Sequence, residues 1–383
     1  FISPKLALIN TKEQGNSIYS TDKIFKNELL ISIPSKYNLN FITILLFLRK
    51  FNSDPQSFVI FGTPKYDEVL RSQEDLELGN DSIYTDLYKK LTYDELIQLS
   101  SFQLVSFFLT IEFKRGIESW WQPFFDVLPG LEDFSNIPFT WLINGDDDYF
   151  EKLPLTARDH SLKQFNKFNK DFKSLCELID SKIDNDIERY LPKDLFLRFW
   201  LCCNSRCLYM KLDEKLNQKN EDNFTMVPFV DFLNHDVEEN CFVKVTNAFK
   251  IYSGLIYKPR SQIYLSYGPH SNEFLLCEYG FLLNRNENRW NCIDLSKEIL
   301  ALFEKNPEKI LFLKKIDYYD NYFITTTDIS FRIEIALAVL SEKDINSKNL
   351  KLFIEGMTDG SHYRKERTKI LSNLLNKTIE DCK

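Results

Sequence analysis

Two phenols, an amide and an imidazole gather between residues 227 and 281. The stretch opens as Val227-Pro-Phe-Val-Asp231-Phe-Leu-Asn234-His235, runs through Ile263-Tyr-Leu-Ser-Tyr267-Gly268 and closes on Glu278-Tyr279-Gly-Phe281. Tyr267 and Tyr279 each precede a glycine, which frees the backbone for a tight turn. Polar groups delivered to strand ends and turns amid apolar residues suggest a built pocket. Asn204-Ser205-Arg206 ends an apolar helical run, where an arginine needs a partner because burying an unpaired charge is costly. Read locally, Asp231 and Asn234 suit turn amides equally well, and His235 suits a hydrogen-bonded core histidine.

Several other chemistries find no support. The four histidines (160, 235, 270, 362) read as scattered among loops, and the eight cysteines never form Cys-x-x-Cys, so no metal site is expected. Buried free thiols fit a reducing compartment, with cytoplasmic placement expected and the nucleus a second possibility. No Gly-x-Ser-x-Gly elbow supports a hydrolase, and Cys241 shows no activating neighbour for a Cys–His pair. Neither glycine-rich phosphate signature occurs. The net charge of −8 lacks the basic balance of a nucleic-acid binder and suits a basic protein partner. The longest apolar run, 41–48, is far too short to span a bilayer.

The elements that must position these residues follow from periodicity. At 383 residues, 44% hydrophobic and 27% charged, the chain is globular and long enough for two or three subdomains. Residues 6–9, 17–20 and 29–33 read as short strands, with a turn at 13–16 around Gly15 and Pro34 closing the third. Helical spacing then takes over to about residue 190. It is clearest over 91–114, which Thr92 and Glu95 open as a capping box, and over 157–183. Residues 120–130 read as an aromatic packed loop, and 184–188 as an acidic, solvated helix end. An amphipathic helix is expected over 195–211, a polar loop over 217–225 and a strand-rich segment over 227–294. Helices at 296–309, 328–340 and 364–379 follow. Strands, a helical insert, strands again and a helical tail make an unusual order.

In that order the chain resembles the SET-domain methyltransferases of the Rubisco large-subunit methyltransferase type. The matching blocks are Glu28-Leu-Leu-Ile-Ser-Ile-Pro34, Trp141 after Leu128-Pro129, Asn204-Ser-Arg206 and Pro228-Phe-Val-Asp-Phe-Leu-Asn-His235. Ile263-Tyr-Leu-Ser-Tyr-Gly-x-x-Ser-Asn272 and Tyr279-Gly-Phe281 complete the set. The resemblance implies an α+β fold: small curled β-sheets with a pseudoknot, split by an all-α insert and followed by a helical C-terminal region. The expected divisions are 1–40, the insert 41–190, 191–287 with the active site, and 288–383. It also implies S-adenosylmethionine as cofactor and a lysine of a non-histone protein as target. The translation apparatus is the first expectation for that protein and cytochrome c the next. A histidine target and a catalytically silent interaction protein are the alternatives. The partner is expected to be a basic protein and the enzyme a monomer.

Carried over residue by residue, the turn Gln14, Gly15 and Asn16 would contact the cofactor through its backbone. Ser205 and Arg206 would hold its methionine end, Asp231 would join the cofactor site, and Asn234 and His235 would meet it largely through backbone groups. Tyr267 matches the tyrosine nearest methyl transfer and Tyr279 a second one shared by cofactor and substrate. Phe242 and Phe281 would complete the substrate channel. Two departures from the family pattern stand out: the cofactor turn holds a single glycine, and the tail is short. Transfer to a lysine needs a neutral amine although the reference pKa is about 10.4; an apolar aromatic channel lowers it.

Overall fold

The computed structural model describes residues 1–11, 14–52, 82–183, 186–212, 223–238, 240–284 and 288–381. Residues 184–185 of the expected acidic helix end and most of the expected polar loop lie outside them. The chain divides into two compact units, Phe1–Pro269 with Glu273–Leu282, and His270–Asn272 with Leu283–Lys383.

In the first unit, β1 (Leu6–Thr11) and β2 (Gly15–Ser20) form an antiparallel hairpin, pairing Leu6 with Ser20 and Thr11 with Gly15. Gly15 takes φ +64°, the left-handed conformation that glycine adopts without steric cost. β3 (Leu29–Pro34) buries Leu30, Ile31 and Ile33 and pairs antiparallel with β9 (Ala248–Ser253), which pairs in turn with β8 (Cys241–Val245). A second three-stranded sheet orders β4 (Leu39–Asn40), β6 (Phe224–Met226) and β5 (Cys207–Tyr209). The two-residue strands β7 (Asn234–His235) and β10 (Tyr264–Leu265) run parallel, with Tyr264 opposite Asn234 and Leu265 opposite His235. Strands 30 residues apart in sequence therefore meet at the two blocks singled out above.

The helical insert is built by capping and by apolar stripes. Asn40 caps helix Phe41–Arg49, its Oδ1 accepting the amide hydrogens of Ile42 and Thr43. The expected continuous helix over 91–114 is broken in two. Thr92 and Glu95 form their capping box, but that helix ends at Leu96, and Ser100 with Gln103 caps a new one, Ser101–Arg115. A second box is a stronger start signal than the shared apolar spacing is a continuation signal. Residues 120–130 include a short helix, Gln122–Phe125, rather than loop alone. Helix Leu155–Asp180 buries Ala157, Ser161, Gln164, Phe168, Asp171, Leu175 and Ile179, the steps of three and four that mark one helical face. Helix Lys193–Arg206 stops five residues before the expected end because the backbone turns extended at Cys207 and enters β5.

One continuous core joins insert and strands, from Ile18 and Leu30 through Phe107, Phe168 and Trp200 to Ile263. Trp200 is fully buried, packs against Phe102, Phe139 and Phe168, and donates its indole hydrogen to Asp171 Oδ2 at 3.1 Å. Replacing it with alanine is expected to destabilise the first unit by about 3–5 kcal/mol, measured as a lower urea midpoint. A change near zero would mean that the helices do not share this core.

The second unit has its own core around Leu295, Phe303, Tyr322, Ile333 and Phe353. Helices Ser296–Ala301, Pro307–Lys315, Phe331–Ser341, Lys348–Ile354 and Arg364–Asp381 surround it. The expected helix over 296–309 divides at Pro307, which begins the second segment; proline supplies no amide hydrogen but suits a first helical turn. β11 (Cys292–Asp294), at the end of the expected strand-rich segment, pairs antiparallel with β12 (Phe323–Thr325), a strand the periodicity does not predict. Among the described residues no helix is long and apolar enough to cross a membrane.

Candidate active site

The β7–β10 pair puts the Asn-His and tyrosine blocks side by side. Phe229 holds φ +74° just before the short helical turn Val230–Phe232. That positive φ is unusual for a bulky residue, and here it bends the chain into the turn that carries Asp231. Asn234 Nδ2 donates to Ser17 Oγ at 2.9 Å, tying the block to the β1–β2 hairpin. The backbone amide of Tyr267 donates to His235 Nδ1 at 3.0 Å. A nitrogen that accepts holds no proton, so the neutral imidazole carries its hydrogen on Nε2 and pins the Tyr267 backbone through Nδ1. The Tyr267 hydroxyl donates to the Leu233 carbonyl at 2.9 Å.

Helix Asn272–Tyr279 delivers the second phenol. The rings of Tyr267 and Tyr279 lie 4.9 Å apart, Tyr267 and His235 5.1 Å, and Tyr279 and Phe281 6.1 Å. Gly280 turns the chain after Tyr279 with φ +77°, and a Cβ there would stand 3.2 Å from Ile137 Cγ1. The positive φ favours glycine, and the contact is tighter than ordinary Cβ packing.

Tyr267 and Tyr279 border an open cleft also lined by Ser205, Arg206, Asp231 and Leu265, whereas Asn234, His235 and Phe281 are not among its lining residues. The Asp231 side chain is 1% exposed, and Arg206 Nε stands 3.9 Å from Oδ2. Burial pushes the Asp231 carboxyl above its ordinary value, opposed by the Arg206 guanidinium. Burial likewise pushes the Tyr267 phenol up to about 12, and that of Tyr279 upward as well. Both tyrosines therefore keep their hydroxyl hydrogens at neutral pH. Ser205 lines the cleft while its hydroxyl donates back to the Leu201 carbonyl at 2.8 Å.

The remaining expected residues lie elsewhere. Gln14 and Gly15 sit exposed at the hairpin turn, and Asn16 Oδ1 accepts from Asn10 Nδ2 across it. None of the three is among the residues lining the cleft, although Ser17, one residue on, holds Asn234. Phe242 belongs to β8, where its ring stacks on Tyr252 at 5.5 Å beneath the Lys244 ammonium; it does not line the cleft either. The sequence reading also passed over residues that do. Cys207, Leu208 and Tyr209 form a wall from β5, hidden because their run looked like the end of a helix. His160, taken for a loop histidine, lies inside helix Leu155–Asp180 with Nε2 against Glu278 Oε1.

Ribosomal lysine N-methyltransferase 2 of Saccharomyces cerevisiae is 31% identical to this chain over 419 aligned positions, spanning 98% of this chain and 86% of that protein. The chain belongs to the ribosomal lysine N-methyltransferase family of SET-domain proteins. A family profile described as the ribosomal lysine N-methyltransferase 2 C-terminal domain matches residues 291–383, so the short tail is a recognised domain of this family. Ribosomal lysine N-methyltransferase set11 of Schizosaccharomyces pombe is 27% identical, covering 75% of this chain and 72% of that protein. Among solved structures, the SET domain of LSMT bound to lysine and AdoHcy superposes with a TM-score of 0.57 at 16% identity, covering 93% of this chain and 72% of that one. Rubisco LSMT bound to AdoMet gives 0.55 at 15%, covering 98% and 76%. These likenesses carry the fold: the chain is a SET-domain α+β protein with a helical C-terminal region, as its motif order indicated.

Proposed function

We propose that the protein is an S-adenosylmethionine-dependent lysine N-methyltransferase whose target is a ribosomal protein. The observation that carries this reading is the cleft. A buried carboxylate (Asp231) and a guanidinium (Arg206) stand beside two neutral, mutually packed phenols. That donor set fits an amino-acid zwitterion. Arg206 would orient its carboxylate and Asp231 its ammonium, each interaction charge-assisted. When bound, S-adenosylmethionine supplies an electrophilic methyl group on a sulfonium.

The chain's own residues account for the rest. Tyr267 and Tyr279 wall the cleft with rings and keep water from the reacting amine. Desolvation beside those rings favours the neutral lysine amine that must attack. Fixing the amine against the methyl group supplies much of the acceleration. The Tyr267 hydroxyl and the Leu233 carbonyl mark where weak C–H···O contacts would steady the polarised methyl. His235 serves by holding Tyr267 in place rather than by moving a proton. We assign Gln14, Gly15, Asn16, Ser205 and Asn234 to the cofactor side, and Phe242 and Phe281 to the substrate side. The net charge of −8 suits a basic ribosomal partner, met by a monomeric enzyme in the cytoplasm.

The test is direct. Tritium-labelled S-adenosylmethionine and ribosomes from cells lacking the protein are expected to yield one or a few labelled bands, with methyl-lysine in the peptide identified by mass spectrometry. Methyl-histidine there would redirect the target assignment, and absence of cofactor binding by calorimetry would overturn the reading.

The pH profile is also set. Because burial pushes the Tyr267 phenol up to about 12, its ionisation does not limit the rate near neutrality. We expect kcat/KM to rise between pH 7 and pH 9 as the substrate lysine loses its proton. A fall over that interval would show that a protonated group of the enzyme takes part.

A further inference from the structure

Glu278 lies one residue before Tyr279, and Asn204 two residues before Arg206, so each stands just behind a wall of the cleft. The Glu278 side chain is largely buried, and both of its carboxylate oxygens are engaged. Oε2 accepts from Asn204 Nδ2 at 2.5 Å, and the same nitrogen lies 3.3 Å from the Glu278 main-chain oxygen. Oε1 meets His160 Nε2 at 2.5 Å. The His160 ring rests edge-on against Phe274, and Gln164 Nε2, one turn further along the same insert helix, donates to the Cys277 carbonyl at 3.1 Å. Three helices thus converge on a single carboxylate: Leu155–Asp180 through His160, Lys193–Arg206 through Asn204, and Asn272–Tyr279 through Glu278 itself. None of these bonds reaches into the cleft.

We infer that Glu278 is a positioning residue for methyl transfer, fixing the Arg206 wall at its working distance from Tyr279 by bridging Asn204 and His160. The inference rests on the function proposed above. Its physical content is that small displacements of reacting groups cost rate steeply. A carboxylate gripped from two helices holds such a displacement down better than packing alone, because its bonds are directional. The insert thereby contributes to the site through His160 although it supplies no residue to the cleft lining.

The experiment uses the full chain, tritium-labelled S-adenosylmethionine and ribosomes lacking the modification. Turnover is counted per S-adenosylhomocysteine-binding site, a ratio that a mere loss of folded protein leaves unchanged. Glu278→Ala is expected to lower per-site kcat about tenfold, with KM for ribosomes within about threefold. Glu278→Gln keeps an oxygen for Asn204 and is expected to recover most of that loss. Asn204→Ala should lose as much as Glu278→Ala, and the double variant no more than either, since both remove one shared bond. Per-site kcat for Glu278→Ala within about twofold of the parent, or a glutamine variant as slow as the alanine one, overturns the inference. If Glu278→Ala does not fold, Asn204→Ala is judged against the same limits. Failure of the parent protein to transfer methyl would instead overturn the functional reading, so the two failures are distinguishable.

Discussion

Tyr267→Phe is expected to lower kcat about a hundredfold while changing the S-adenosylmethionine Kd by less than about threefold. Phenylalanine keeps the ring that packs on His235 and Tyr279, at 5.1 and 4.9 Å, and leaves the backbone hydrogen bond to His235 Nδ1 in place. Only the hydroxyl is lost, and with it the bond to the Leu233 carbonyl. If that oxygen steadies the methyl group in flight, its removal acts on the transition state and not on ground-state binding. A hundredfold loss corresponds to about 2.7 kcal/mol, a plausible sum for a lost polar contact and a carbonyl left without its donor. Steady-state rates and calorimetry separate the two effects. Equal loss of turnover and cofactor affinity would show that Tyr267 merely shapes the cofactor pocket.

Arg206→Ala is expected to do the reverse, weakening S-adenosylmethionine binding about a hundredfold. Arg206 is the cation beside Asp231 in the cleft, at 3.9 Å, and its planar fork matches a carboxylate in a way that a lysine ammonium does not. Arg206→Lys should therefore restore the charge and only part of the affinity. Removing the arginine also removes the group that holds down the Asp231 carboxyl, whose ionisation burial already opposes. The carboxyl then titrates higher still, so the variant's cofactor affinity should improve as pH rises and Asp231 regains its charge. Calorimetry of parent and variant across a pH series reads both effects. A Kd unchanged from the parent's throughout the series would remove Arg206 from the cofactor site.

Much of this site was legible in the residues. Asn234-His235 and Tyr267-Gly268 announce themselves because short polar groups beside glycines carry backbone requirements that core residues do not. The first three strands, the Thr92 capping box and the long insert helix were likewise readable, since a two- or 3.6-residue period is written in the chain itself. Misreadings arose where two local signals competed. The stretch 91–115 has continuous apolar spacing, and only the second cap at Ser100 breaks it. The stretch 195–211 keeps an apolar rhythm past Arg206, and only pairing of Cys207–Tyr209 with β6 turns its end into a strand. That pairing partner lies some fifteen residues on, beyond any local window.

The sequence by itself determined the family, the order of the blocks and the identity of the two tyrosines, because these depend on residue type and order along one chain. It also marked Arg206 as a charge in need of a partner. Only the tertiary structure decided that the partner is Asp231, that His235 spends Nδ1 on the Tyr267 backbone, and that His160, Asn204 and Glu278 form one bridge. Those pairings join residues from 25 to 118 positions apart. Loop closure over such distances is stabilised by the shared core of insert and strands, and a hydrogen bond across it leaves no periodicity for the linear chain to display.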